Sequence, residues 1–422
     1  MFGSTAAPDT PAGRQLAWLL GAAADVPLPR QVIEAHFAAA FLAQIGPDDV
    51  NAHLEPLQTP SGGSLIGLLS AADDPVSLIA VAAFGDDQMT VTIAVDGAGL
   101  IGGLLLQPYQ PPPASWDELD RDLDALAPHA SFLAARVSPG GTCTPIHQLA
   151  SSTARPMESM CTLFVLGALA DQIAAERVSW DQELTVTDAV KSPGVQDVPA
   201  GTRMPVRQAA ARIMEISDNT AADMLIQLLG RSTVEAQARR WSRHAALNVP
   251  FLTTREVLVL KDAGYPELAN QYLSLPPGQR TEFLASSVDP VPLSQPQAHP
   301  LLLPWPEPRD IGSIGWFASP DDIGRALAGL QQLATQPALA PLGPILSAND
   351  AGIGLDPARW PTVGSNSGFE AGILAAGYLA TDSEGQTFVV VAMLSNPAEA
   401  LPFPSVVTGL QAIIRAAFEL VR

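Results

Sequence analysis

Three short segments carry residue types that could do chemistry together. The first is Pro156 to Ala175, where Ser159 stands ahead of the almost wholly apolar run Thr-Leu-Phe-Val-Leu-Gly-Ala-Leu-Ala. That run predicts a helix buried on all sides, with Ser159 in its first turn. The unpaired N–H groups at such a helix start favour an oxyanion, so the position suits a nucleophile. By itself it suits an ordinary N-cap better. The second segment is Ser217-Asp218-Asn219-Thr-Ala-Ala-Asp, a polar triplet before another helix, which by itself is a turn and cap cluster. The third is Gly364-Ser-Asn366-Ser367-Gly368-Phe369-Glu-Ala-Gly-Ile373, a glycine-punctuated approach to a strand.

The elements that must position these segments fall into two domains, 1–110 and 115–422. In the first, Pro29 to Ile45 reads as an amphipathic helix, followed by strand-like runs at Val76 to Phe84, Met89 to Val95 and Leu100 to Leu106. A helix on an antiparallel meander gives a small α+β domain. Gln107 to Ala114, with three consecutive prolines, reads as a stiff linker, and Ser115 opens a helix with the capping box Ser-Trp-Asp-Glu118. Further strands are expected at Phe132 to Val137, Leu184 to Thr187, Gly372 to Ala380 and Thr387 to Leu394, with a closing helix from Ser405 to Val421. Strands from both ends around a helical middle predict one sheet built from sequence-distant pieces.

Composition limits the function classes. The chain has 422 residues, 47% hydrophobic and 15% charged, which describes compact domains. A net charge of -21 argues against a nucleic-acid partner and against an anionic membrane surface. Two cysteines, Cys143 and Cys161, are too few for a disulfide framework, and the six histidines lack metal-ligand spacing, so neither metal nor cofactor is expected. The apolar run Leu16 to Ala24 is too short to span a bilayer. A cytoplasmic protein is expected, unless an export signal precedes this sequence. Lys191 and Lys261 are the only lysines.

Taken in this order, the three segments resemble the serine β-lactamase and penicillin-binding-protein superfamily, class A type. Val165 to Ala170, Leu184-Thr-Val-Thr-Asp188 and Ile216 to Asp223 are similar to the actinobacterial two-domain serine hydrolases, a group that includes a member of the clavulanic-acid pathway. Thr10 to Leu20 is similar to the same group. The resemblance implies an N-terminal cone domain of the steroid-isomerase and polyketide-cyclase type and a C-terminal β-lactamase-like domain, an antiparallel sheet with a helical subdomain. The predicted cone strands carry no inward Asp or His, so that domain is expected to be structural or one wall of a cleft.

In the superfamily the nucleophile motif is Ser-x-x-Lys and the third motif is Lys-Thr-Gly or similar. The resemblance makes Ser159 the nucleophile, with Ser217 and Asn219 in the proton-relaying second motif. Thr162 stands where the first lysine belongs and Asn366-Ser367-Gly368 where the third motif belongs, so both cations are missing. Neither Thr162 nor Asn366 can act as a base near neutral pH, and a positioned base contributes roughly two to four orders of magnitude in rate. No lysine lies near in sequence to take over. The Glu-x-x-Leu-Asn run that supplies the deacylating carboxylate is also absent; its place holds Ser286 to Pro308, long, apolar and rich in proline. Such a loop suits a lid, with Trp305 as a platform for an apolar substrate, or a stiff surface strap. Asp218, Lys191 and Phe369 complete the expected pocket, Lys191 as a rim cation for an anionic substrate or as a solvated surface residue.

Three functions fit. One is a weak acyl-transfer enzyme of specialised metabolism, an esterase or thioesterase acting on a small apolar molecule through Ser159, and not a β-lactamase. Another is a repurposed pocket performing a cyclisation or isomerisation without a covalent intermediate. The third is a catalytically silent binding protein.

Overall fold

The computed structural model describes residues 6–43, 45–69, 75–193, 198–293, 305–403 and 405–422. The chain divides into two compact units, Met1–Pro111 with Gly352–Gly354, and Pro112–Ala351 with Leu355–Arg422.

The first unit is an antiparallel meander of β1 (Ser64–Leu68), β2 (Ser77–Phe84), β3 (Asp87–Val95) and β4 (Ile101–Pro108), in that spatial order. Strand β1 is an addition to the three runs read from sequence. Alternation in β3 buries Val91, Ile93 and Val95, which join Leu16, Leu19 and Ile33 from the helices, and Phe37, in one core. The predicted helix over Pro29 to Ile45 is two helices instead, Arg30–His36 and Ala39–Leu42. Phe37 between them is extended, bridges Ile101 and is itself buried, so tertiary pairing overrides helix periodicity there. The expected linker begins later than its prolines suggested, because Gln107 and Pro108 belong to β4.

The second unit is built on a five-stranded antiparallel sheet. In chain order its short and long strands are β5 (His129–Val137), β6 (Cys143–Leu149), β7 (Arg155–Pro156), β8 (Glu183–Thr185), β9 (Arg203–Pro205), β10 (Phe317–Ala318), β11 (Thr362–Glu370), β12 (Ile373–Thr381) and β13 (Thr387–Ser395). The main sheet runs β11-β12-β13-β5-β6, so strands from the two ends of the unit do meet, at β13 against β5. Every residue of β13 is buried, as its unbroken apolar run requires of a central strand covered on both faces. Helices Trp116–Leu126 and Ser405–Leu420 pack together, the latter against β13, and helix Pro320–Ala334 packs on β5, β12 and β13. The capping box at Ser115 forms in part: Glu118 N–H donates to Ser115 Oγ, while Glu118 accepts from Ala114 N–H.

Helix Thr162–Ala174 is buried on all sides from Thr162 to Ala170. Each Leu or Phe so covered contributes about 1.5–3 kcal/mol. This rigid post carries the candidate serine. No helix among the described residues is long and apolar enough to cross a membrane. Cys143 and Cys161 are free thiols.

Candidate active site

Ser159 lies on a 3-10 turn, Glu158–Cys161, that leads directly into the buried helix. The chain enters this turn from β7, which pairs with β10, and Met157 N–H donates to the Trp316 carbonyl at 2.9 Å. Glu158 then takes a left-handed backbone, φ 45°. That conformation is costly for a residue with a Cβ and marks a turn held by its surroundings.

The surroundings are one face of the edge strand β11. Asn366, Gly368 and Glu370 are buried while Ser367 and Phe369 are exposed, the period-two pattern of a strand with one covered face. These three buried residues meet the Ser159 turn, the helix that follows it, or Lys261. Asn366 Nδ2 donates to Thr162 Oγ1 at 3.1 Å and lies 3.2 Å from Met214 Sδ. Thr162 Oγ1 in turn donates to the Ser159 carbonyl at 2.7 Å. Gly368 packs so closely that an added Cβ would stand 2.7 Å from Ser159 N and 2.6 Å from the Met157 carbonyl oxygen, which only glycine permits. Glu370 Oε2 accepts from Lys261 Nζ at 2.6 Å.

Thr162 and Asn366, the two positions where the resemblance leads one to expect a lysine, are therefore bonded to each other. Both are buried. Among the described residues no side chain hydrogen-bonds the Ser159 hydroxyl, and the serine itself is half-buried. A thiol is no substitute nucleophile here: burial pushes the Cys161 thiol well up and the Cys143 thiol to about 11.

The second motif sits between two helices. Ser217 ends helix Val206–Ile216 in a left-handed conformation, φ 53°, and is exposed. Asp218 is the N-cap of helix Asn219–Leu229, accepting from Ala221 N–H at 3.0 Å, and its other oxygen accepts from Arg212 Nε at 2.6 Å. It is thus a buried, fully engaged structural residue that fixes Ser217 and Asn219 on either side. Asn219 Nδ2 donates to the Pro193 carbonyl at 2.6 Å, which ties down the segment after Lys191. Asp223, one helical turn on, holds Ser192 Oγ at 2.8 Å and the N–H groups of Thr254 and Arg255. Burial pushes its carboxyl up to about 7 against the pull of those donors. Lys191 is half-buried at the edge of this network.

Two readings change. Trp305 is not an open platform: it is 3% exposed, and its indole donates to Glu370 Oε1 at 3.3 Å. Residues 294–304 of the expected lid lie outside the described residues. Lys261, set aside because it is distant in sequence, is fully buried and paired with the Glu370 carboxylate at the end of β11. Burial, reinforced by the Glu370 carboxyl, pushes Glu158 up to about 8 even with Lys261 near, so at pH 7 it is mostly the neutral acid. Its Oε1 is buried, with no hydrogen-bond partner among the described residues. Burial also raises Glu370, and Lys261 and Trp305 counter this. The sequence signal for this cluster was slight: two acidic residues beside the motif positions and one lysine in the apolar run Val257 to Lys261.

Residues 144–271, which hold Ser159 and the Ser217 to Asn219 triplet, match the β-lactamase enzyme family, and residues 7–101 match the family described as the ORF 12 gene product N-terminal region. The stretch that carries the serine is thus similar to the β-lactamase enzyme family, and it lies on a mixed α/β fold. Similar solved structures include a β-lactamase from Sphaerobacter thermophilus, 18% identical over 72% of this chain and 97% of that one, TM-score 0.48. A β-lactamase from Chitinophaga pinensis is 16% identical over 72% and 98%, TM-score 0.49. A PBP-A mutant in acyl-enzyme complex with penicillin G is 16% identical over 74% and 99%, TM-score 0.47. No curated protein matches the chain.

Proposed function

We propose that this chain is a slow serine acyl-transfer enzyme, an esterase or thioesterase of specialised metabolism acting on a small, uncharged, apolar substrate. The observation that carries this reading is the contact of Gly368 with Ser159 N, which sets the β11 backbone against the nucleophile's own amide. Ser159 Oγ adds to the substrate carbonyl carbon. The oxyanion so formed is met by the N–H groups of Ser159 and Phe369, and exposed Ser217 passes the serine proton toward the leaving group or solvent. With Thr162 and Asn366 bonded to each other, neither assists as a base, and no side chain among the described residues hydrogen-bonds the Ser159 hydroxyl. Turnover is therefore expected mainly with activated esters, whose leaving groups need little protonation.

The same features argue against β-lactamase activity. Anionic β-lactams lose the cation at position 366, and an acyl-enzyme would lack a carboxylate to activate water. The N-terminal unit, helices on a four-stranded meander, is read as a structural domain of the steroid-isomerase and polyketide-cyclase type. A second reading, cyclisation or isomerisation without a covalent step, is favoured by one observation: the Thr162 hydroxyl is engaged on both sides and leaves Ser159 without a proton acceptor.

Intact-protein mass after exposure to a fluorophosphonate, penicillin G and an activated ester separates the two. An adduct from the fluorophosphonate or ester on wild type, absent in Ser159→Ala, supports acyl transfer. No adduct under any condition overturns it in favour of non-covalent chemistry. A long-lived penicillin adduct would show that the site still accepts an anionic β-lactam and would sink the neutral-substrate part of the reading.

A further inference from the structure

We propose that Lys261 is a positioning residue for Ser159: by binding Glu370 beside the Glu158 turn, it locks the end of β11 against the nucleophile's backbone. The proposal rests on the acyl-transfer reading for its kinetic consequence, although the lock itself is a property of the fold.

The inward face of β11 makes three successive contacts at alternate residues, Asn366, Gly368 and Glu370. Its first contact with the nucleophile turn is the Asn366–Thr162 hydrogen bond, and its middle contact is Gly368 on Ser159 N. Both would allow the strand end to swing, because β11 is an edge strand with a neighbour on one side only. The third contact prevents it. Glu370 is held through both oxygens, by Lys261 on one and by Trp305 on the other.

Lys261 is in turn fixed by its own backbone. It lies in a π-helical turn, Val259–Ala263, and its carbonyl accepts from Arg309 Nη1 at 2.6 Å. The Arg309 guanidinium stacks over Tyr265 and Trp305, 4.8 and 5.4 Å from the ring centres. The cluster thus joins a helix turn, the end of the proline-rich segment with Arg309 after it, and the β11 end, beside the buried Glu158 that precedes Ser159.

Stability alone does not explain this arrangement. A buried ion pair recovers little more than the desolvation it costs, and apolar residues of similar volume usually do as well or better. What the pair supplies is a fixed distance and direction between two elements. In a site without a catalytic base, backbone placement around the oxyanion is the main remaining source of rate, and small displacements there are costly.

The test compares wild type with Lys261→Met/Glu370→Gln, which removes the ion pair, fills the lysine volume and leaves Trp305 an acceptor. Two quantities are read: hydrogen exchange of segments 157–161 and 366–370, and the rate at which a fluorophosphonate labels Ser159. The expected result is exchange faster by on the order of tenfold in those two segments alone, with labelling slower by on the order of tenfold. Unchanged exchange in both segments overturns the proposal. So does faster exchange spread evenly over the fold, which would reveal a purely structural pair. If wild type takes no label, the acyl-transfer reading fails, and the exchange pattern still decides whether Lys261 locks the turn. Should the double variant not fold, Lys261→Met alone, which removes the pair and lets the buried Glu370 carboxyl take up a proton, is judged by the same exchange criterion.

Discussion

Asn366 Nδ2 donates to Thr162 Oγ1 across 3.1 Å, and that hydroxyl donates onward to the Ser159 carbonyl at 2.7 Å. The chain that elsewhere would join two lysines to a serine is here an amide, a hydroxyl and a backbone carbonyl. It can hold the turn but cannot take a proton at neutral pH. Thr162→Val keeps the side-chain shape and leaves the buried Asn366 amide only the weak Met214 sulfur acceptor. A loss of about 1–3 kcal/mol in urea denaturation is expected. Fluorophosphonate labelling of Ser159 should slow less than about tenfold, since the hydroxyl is not a base. A slowing of about a thousandfold would instead make Thr162 part of proton transfer.

Gly368 gives a sharper test of the same site. Its absent Cβ would fall within 2.7 Å of Ser159 N and of Glu158 Cβ, and 2.6 Å from the Met157 carbonyl oxygen, all atoms of a turn that cannot easily move. Gly368→Ala must therefore push β11 away from the serine. We expect labelling to fall by about a hundredfold, because a displacement near 1 Å can cost that much. Circular dichroism should remain that of the wild type, since β12 and β13 lie beyond the displaced edge. Labelling at the wild-type rate would remove the β11 backbone from the oxyanion site.

These two positions also show what the sequence could and could not convey. Ser159, Ser217 and Asn219 were legible because each opens or closes a helix, and helix ends leave local marks: an apolar run, a cap, a polar triplet. The long strands β12 and β13 were legible for the same reason, from continuous apolar runs bounded by a turn. What stayed hidden was decided between distant segments. Phe37 breaks a well-patterned helix because it pairs with Ile101. Trp305 reads as a lid residue until Glu370, 65 positions on, proves to be its partner. Lys261 and Glu370 are 109 positions apart, and no local pattern announces a salt bridge of that span.

The buried acid next to the serine makes the last prediction a matter of pH. The folded-state pKa of Glu158, about 8, lies above its ordinary 4.5, chiefly because burial disfavours the charged form. Below about pH 4.5 the carboxyl is protonated whether the chain is folded or not, and its ionisation has no effect on stability. Between about 4.5 and 8 the unfolded chain has released a proton that the folded chain retains, so stability falls as pH rises. Above about 8 the penalty is complete and constant. Glu158→Gln cannot ionise and escapes it. The stability of Glu158→Gln relative to wild type should therefore grow through this window, by on the order of several kcal/mol, and level off above it. Asp223 is also raised, but it is present in either protein, and its contribution largely cancels in the comparison. Chemical denaturation of the two proteins at pH 5, 7 and 9 decides the matter. A constant difference across that range would mean that Lys261 keeps Glu158 ionised in the folded state, and that the serine's neighbour is a charge rather than a neutral acid.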